Sequence, residues 1–197
     1  MPFTIGDKNL LFKGKHLDLW RTEFLDNRGR KAQWEWIGKK NGVVIFAVTP
    51  DERVVLIKNF RVPFQQYIIE CPAGLLDKEN ESIEEAARRE LLEETGYAVD
   101  KLTPLPVVPQ SAALTTGLAH FFIGTGAKKI SEIQSEDTED IEVLELPLAE
   151  LANYYLNNQE FLFNLGILAL YHVALELGLV RPAEKWACPP KRRVARK

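Results

Sequence analysis

Three glutamates crowd one short stretch, Arg88-Arg89-Glu90-Leu91-Leu92-Glu93-Glu94-Thr95-Gly96. Glu90 and Glu94 are four apart and Glu93 is three from Glu90, so on a helix all three project from neighbouring positions. Like charges at that spacing cost about 0.2–0.5 kcal/mol per pair unless something neutralises them. A hard cation such as Mg²⁺, which prefers oxygen ligands and keeps several waters, would do so. The plainer alternative is a solvated helix, since Glu85–Arg89 and Arg89–Glu93 are favourable i,i+4 pairs. The residues upstream favour chemistry. Glu70-Cys71-Pro72-Ala73-Gly74 ends an extended run, and the glycine-started loop after it lets backbone oxygens approach an ion or phosphate closely.

The elements that must position these carboxylates are legible around them. Ser82 with Glu85 three residues on is a capping box; Ala86, Ala87, Leu91 and Leu92 give the helix an apolar side, and Gly96 is a left-handed stop. Leu17–Trp20 and Trp34–Ile37, either side of Asp26-Asn27-Arg28-Gly29, predict an antiparallel hairpin. Val43–Val48, Val54–Ile57, Tyr67–Glu70, Ala119–Ile123 and Ile141–Leu146 read as further strands. A short helix follows Pro147, and a last one is expected from Gln159 to Leu177, with Phe161, Leu165, Leu168 and Leu175 at core spacing. Strands interleaved with helices indicate an α/β sandwich with a mixed sheet.

The whole chain sets bounds. Its 197 residues, 46% hydrophobic and 27% charged, suit one domain with an extension. No apolar run approaches the ~20 residues of a membrane helix, and Met1-Pro2-Phe3-Thr4 does not open a secretory signal. Cys71 and Cys188 are far apart and in no metal-like spacing, so a reducing cytoplasm is expected. The net charge of −3 divides into +6 over residues 181–197 and −9 over the rest. An acidic body acting on an acidic substrate needs a cation between them. The basic tail could contact nucleic acid or phosphates but reads first as a solvated terminus, and the lack of any other basic, aromatic-interleaved stretch argues against a nucleic-acid partner.

Gly74, Glu81 and Arg89-Glu90-Leu91-Leu92-Glu93-Glu94-Thr95-Gly96-Tyr97 together resemble the Nudix box, G-x5-E-x7-R-E-U-x-E-E-x-G-U. One departure stands out: six residues separate Gly74 from Glu81 instead of five, which predicts a bulge near Lys78–Asn80. Asn59-Phe60-Arg61-Val62-Pro63 and Tyr67 through Asp77 are similar to the ADP-ribose pyrophosphatase branch. The resemblance implies a Nudix α/β/α sandwich with a mixed sheet and an N-terminal antiparallel β extension. Residues 1–40 would be that extension and dimerise, 41–180 would be the hydrolase domain, and 181–197 the basic tail.

The same resemblance implies the roles. The carbonyl of Ala73 and the side chains of Glu90 and Glu94 would hold Mg²⁺, or Mn²⁺ in its stead, with Glu93 supporting a further ion and Arg89 orienting the carboxylates. Arg61 and Glu70 would bind substrate or order the metal site, or simply pair with each other. Trp34 would stack the base, with His16 at the matching earlier position; Trp20 and Trp36 would pack. The general base would come from Ser135–Glu142, with Glu139 first, Glu136 and Glu142 as rivals, and Glu93 as the fallback. The activity implied is hydrolysis of a nucleoside diphosphate derivative, ADP-ribose to AMP and ribose 5-phosphate first, by a homodimer. Ser111–Gly117 lacks the proline common in ADP-ribose-specific members, so other nucleoside diphosphate sugars remain alternatives. An RNA 5′ pyrophosphohydrolase and a non-catalytic nucleotide-sensing module are the readings furthest from this one.

Overall fold

A computed structural model describes residues 2–15, 17–134, 140–158, 162–164 and 166–182. The chain starts as an antiparallel ribbon of β1 (Thr4–Lys13), β2 (Asp18–Leu25) and β3 (Lys31–Gly38), paired in that order. The expected hairpin is β2–β3, with Trp20 opposite Trp36 and Thr22 opposite Trp34. Asp26 shapes its turn by accepting the Arg28 and Arg30 amides. Trp20 and Trp36 stack, ring centroids 5.6 Å apart. β1 has no counterpart in the sequence reading, because Asp7, Lys8 and Asn9 interrupt its apolar residues.

Next come β4 (Gly42–Val48), β5 (Arg53–Arg61), β6 (Gln66–Glu70) and β7 (Ala73–Leu75), then helix α1 (Ile83–Thr95). β8 (Tyr97–Ala98), β9 (Lys101–Pro104), β10 (Val108–Pro109), β11 (Leu118–Thr125), β12 (Lys128–Lys129) and β13 (Ile141–Pro147) follow. The described chain closes through α2 (Leu151–Asn157), β14 (Leu162–Phe163) and α3 (Gly166–Glu176). Nine strands share one sheet along the path β10-β11-β4-β5-β6-β14, with β13 on β5, β7 on β4 and β9 on β11. The β11–β4 and β14–β6 pairs are parallel and the others antiparallel, so the sheet is mixed.

β4 shows why helices cover both faces. Its residues alternate: Val43, Ile45 and Ala47 pack with Ala86, Ala87 and Leu91 of α1. Phe46 and Val48 pack with Leu151 of α2 and with Ile167, Leu170 and Tyr171 of α3. A strand buried on both faces projects successive side chains into opposite cores, and the result is an α/β/α sandwich. β4 also changes partner. Only Ala47 and Val48 pair with β5, whereas Gly42–Val44 pair with β7. The two strands therefore part toward the Gly42 end, and a cleft opens there.

One element differs from expectation. The last helix begins at Gly166, not Gln159: Leu162 and Phe163 are a strand paired with Ile68 and Ile69. Asn164 ends that strand, donating its amide to the Ile69 carbonyl and accepting the Gly166 amide on its side chain. Phe161 and Leu165 lie outside the described residues, while Leu168 and Leu175 pack on the core as expected.

Candidate active site

α1 starts and stops as its sequence dictates. Ser82 accepts the Glu85 amide and Glu85 accepts the Ser82 amide, a complete capping box. Gly96 takes φ 75° and closes the last turn on the Leu92 carbonyl. Burying Ala86, Ala87 and Leu91 turns Glu90 and Glu94 toward β7. Glu94 is 4% exposed and accepts the Ala73 amide at 2.8 Å. Glu90 packs over Gly74, where a Cβ would overlap its whole carboxyl group, far inside the 3.0 Å that real Cβ atoms keep. Gly74 is glycine for lack of space, not for backbone conformation.

Arg89 holds the cluster. Its Nε and Nη2 bond both oxygens of Glu81 at 2.7 and 3.0 Å, and its Nη1 reaches Glu90 at 2.7 Å and Glu93 at 2.8 Å. The expected Glu85–Arg89 pair gives way to this arrangement, because Glu85 is engaged in the capping box. Despite the extra loop residue Glu81 keeps both hydrogen bonds to Arg89, and Asn80 just before it adopts φ 61°, a conformation asparagine tolerates. The Arg89 hydrogen bond holds Glu81 below the usual carboxylate range. Burial pushes Glu90 up, although Arg89 pulls the other way.

Beside the cluster lies a cleft of about 490 Å³. Its lining brings Glu90, Ala73 and Gly74 together with Arg61 and Glu70, which pair at 2.7 Å. Lys39, Asp77, Gln110 and Asn164 line it as well; the sequence reading gave none of these a role. Asn164 alone carried a local signal, an asparagine ahead of an apolar run. The others are brought in by distant strand pairings.

Trp34 stands on β3 outside this lining, 53% exposed, with its indole N–H on the Ala113 carbonyl at 2.8 Å. The Ser111–Gly117 segment docks on the same strand: the Ile37 amide donates to Leu114, the Thr116 amide to Ile37, and the Lys39 amide to Thr116 Oγ1. Trp34 is thereby tied to the segment that leads into Gly117 and the cleft residue Ala119. His16, Glu136 and Glu139 lie outside the described residues. Glu142 pairs with Lys58 at 2.9 Å. It alternates with Val143, which packs in the α1 core, so it points to the opposite face of the sheet, away from the carboxylates.

A family model described as the NUDIX domain matches residues 38–165. The chain belongs to the Nudix family. An ADP-ribose pyrophosphatase of Bacillus subtilis (strain 168) is 32% identical over 73% of this chain and 77% of its own. A GDP-mannose pyrophosphatase of Yersinia enterocolitica is 35% identical over 65% of this chain and 72% of its own. A solved structure of an ADP compounds hydrolase has the same fold, with a TM-score of 0.73, 20% identity, and coverage of 90% of this chain and 97% of its own. Nudix hydrolases generally use divalent cations. The residues here fit such an ion. Glu90 and Glu94 face a strand whose backbone they already touch, and Glu70 and Asp77 line the same cleft, an all-oxygen set suited to a hard cation. Among the described residues, no three His, Cys, Asp or Glu side chains are already gathered around one point; the Glu90 and Glu93 carboxylates face Arg89.

Proposed function

We propose that this Nudix hydrolase cleaves the diphosphate linkage of a nucleoside diphosphate derivative, with ADP-ribose as the first substrate and AMP and ribose 5-phosphate as products. The relatives' names support the substrate class. The observation that carries the reading is the close seating of Glu90 on Gly74 beside an Arg61–Glu70 cleft.

In this reading Ala73, Glu90 and Glu94 hold Mg²⁺, with Glu93 at a second ion. The cations would neutralise the diphosphate and activate water. The chain's own residues do the rest. Arg89 keeps Glu90 and Glu93 in register and Glu94 ties the helix to β7. Arg61 is a guanidinium that can turn from Glu70 to clamp a phosphate. Trp34, its indole edge fixed by Ala113 and its ring exposed, offers a face on which the base stacks. Water attacks one phosphorus, the bridging P–O bond breaks, and the proton passes to a carboxylate. Glu139 is the proposed base and Glu93 the fallback; Glu142, on the far face, drops out.

A homodimer formed through the ribbon belongs to the same reading. Phe3, Ile5 and Phe12 are 58%, 62% and 60% exposed, more apolar surface than a lone ribbon carries comfortably. A cytoplasmic setting accords with the buried free thiol of Cys71; among the described residues no helix is long and apolar enough to cross a membrane.

The test is a panel of ADP-ribose, GDP-mannose and a triphosphate-capped RNA with Mg²⁺ and with a chelator, followed by analysis of the phosphate products. The reading expects cation-dependent release of a nucleoside monophosphate from the sugar nucleotides. No cleavage of either sugar nucleotide refutes it.

A further inference from the structure

Lys78 lies in the loop that carries the extra residue, and its ammonium comes within 3.5 Å of Glu93 Oε1. The other Glu93 oxygen accepts Arg89 Nη1 at 2.8 Å. Arg89 is already shared with both oxygens of Glu81 and with Glu90. One guanidinium thus serves three carboxylates, while Glu70 and Asp77 add negative charge along the cleft. Among the described residues, Lys78 is the second cation at Glu93, beside Arg89.

We infer that Lys78 is an internal counter-cation at Glu93 that competes with a divalent ion for the carboxylate. The inference rests on the proposed metal role of Glu93. The pair's geometry suits a competitor. The contact is long, and its side chains are 53% and 36% exposed, so it is weak and easily displaced. A tight, buried ammonium would instead block the site. The Glu81–Arg89 contact is held by its own two hydrogen bonds at 2.7 and 3.0 Å, so Lys78 can leave Glu93 with that contact in place.

The test titrates Mn²⁺ into the full chain and reads free ion by electron paramagnetic resonance, in parent, Lys78→Met, Lys78→Gln, Lys78→Arg and Glu93→Gln proteins. Both neutral variants should bind the weakest detected ion about two- to fivefold more tightly at low salt, the span of an exposed ion pair. Lys78→Arg should stay near the parent. The difference should shrink below about 1.5-fold at 1 M salt, where the screening length falls to about 3 Å; an effect of loop packing would not respond to salt in this way. Equal or weaker binding by both neutral variants at low salt overturns the inference, as does a gap that persists at 1 M. Glu93→Gln separates the two levels. If it leaves Mn²⁺ binding unchanged, the metal role of Glu93 fails and the inference falls with it. If it weakens binding while the lysine variants change nothing, the metal role stands and only the inference fails.

Discussion

Replacing Gly74 by alanine perturbs the site through a single methyl group. Gly74 lies in β7, paired with Val43, and its backbone is not in the left-handed region, so alanine is allowed conformationally. The obstacle is the Glu90 carboxyl, which occupies the volume of the new Cβ and must retreat by about 1 Å to restore a 3.0 Å contact. A misplacement of about 1 Å in a catalytic arrangement costs on the order of 100-fold, or about 2.7 kcal/mol. Folding stability should move by no more than about 1 kcal/mol, because alanine also restricts the unfolded chain. The assay is kcat/KM for ADP-ribose at saturating Mg²⁺, beside Mn²⁺ affinity and Tm. Gly74→Ala should lose about 100-fold in kcat/KM and bind Mn²⁺ more weakly. Adding Glu90→Asp, a side chain one methylene shorter, should recover part of the loss by drawing the carboxyl back. A Gly74→Ala enzyme within threefold of the parent refutes the reasoning that Glu90's position matters, and a double variant worse than either single one refutes the steric account.

Glu94→Gln keeps the acceptor for the Ala73 amide but removes the charge, so turnover should fall at least ~100-fold with the fold intact; unchanged activity at saturating Mg²⁺ counts against Glu94 as a ligand. Trp34→Ala should raise KM about 5- to 100-fold, the worth of one stacked base, with kcat little changed, and a loss confined to kcat would contradict the stacking role. Light scattering at micromolar concentration should return about twice the 22.4 kDa chain mass, and a clean monomer would remove the ribbon interface. Glu81 is held below its ordinary range by Arg89, so its contribution to stability is complete above that range and lost as the pH falls. Parent Tm should therefore drop more steeply below about pH 5 than that of Glu81→Gln, and parallel curves would deny the linkage.

What the sequence disclosed was what short-range chemistry decides. The capping box at Ser82, the stop at Gly96 and the Asp26 turn each depend on residues within four positions, and each forms as expected. The box glutamates and Arg89 are likewise local to one helix. α3 starts later than the apolar pattern predicts because Leu162 and Phe163 could continue a helix, and only pairing with β6 makes them strand. Arg89 chose Glu81 over Glu85 because the capping box had first claim on Glu85, a competition that pair spacing alone does not reveal. Lys39, Gln110 and Asp77 escaped notice as site residues because nothing in their neighbourhoods marks them. They are ordinary polar residues until β4 pairs with β11 and β7.

That β4–β11 pairing fixes an order of events during synthesis. Gly42 meets Ala119 in a parallel ladder, so the strand that starts the domain waits for a partner made some seventy-five residues later. The acidic helix emerges before Gln110 and Ala119 exist to wall the cleft. For that interval the nascent chain presents its carboxylates beside an unpaired, fully apolar β4 edge, a surface prone to aggregate. Ions or chaperones that act on this protein in the cell would meet it first in that half-built form.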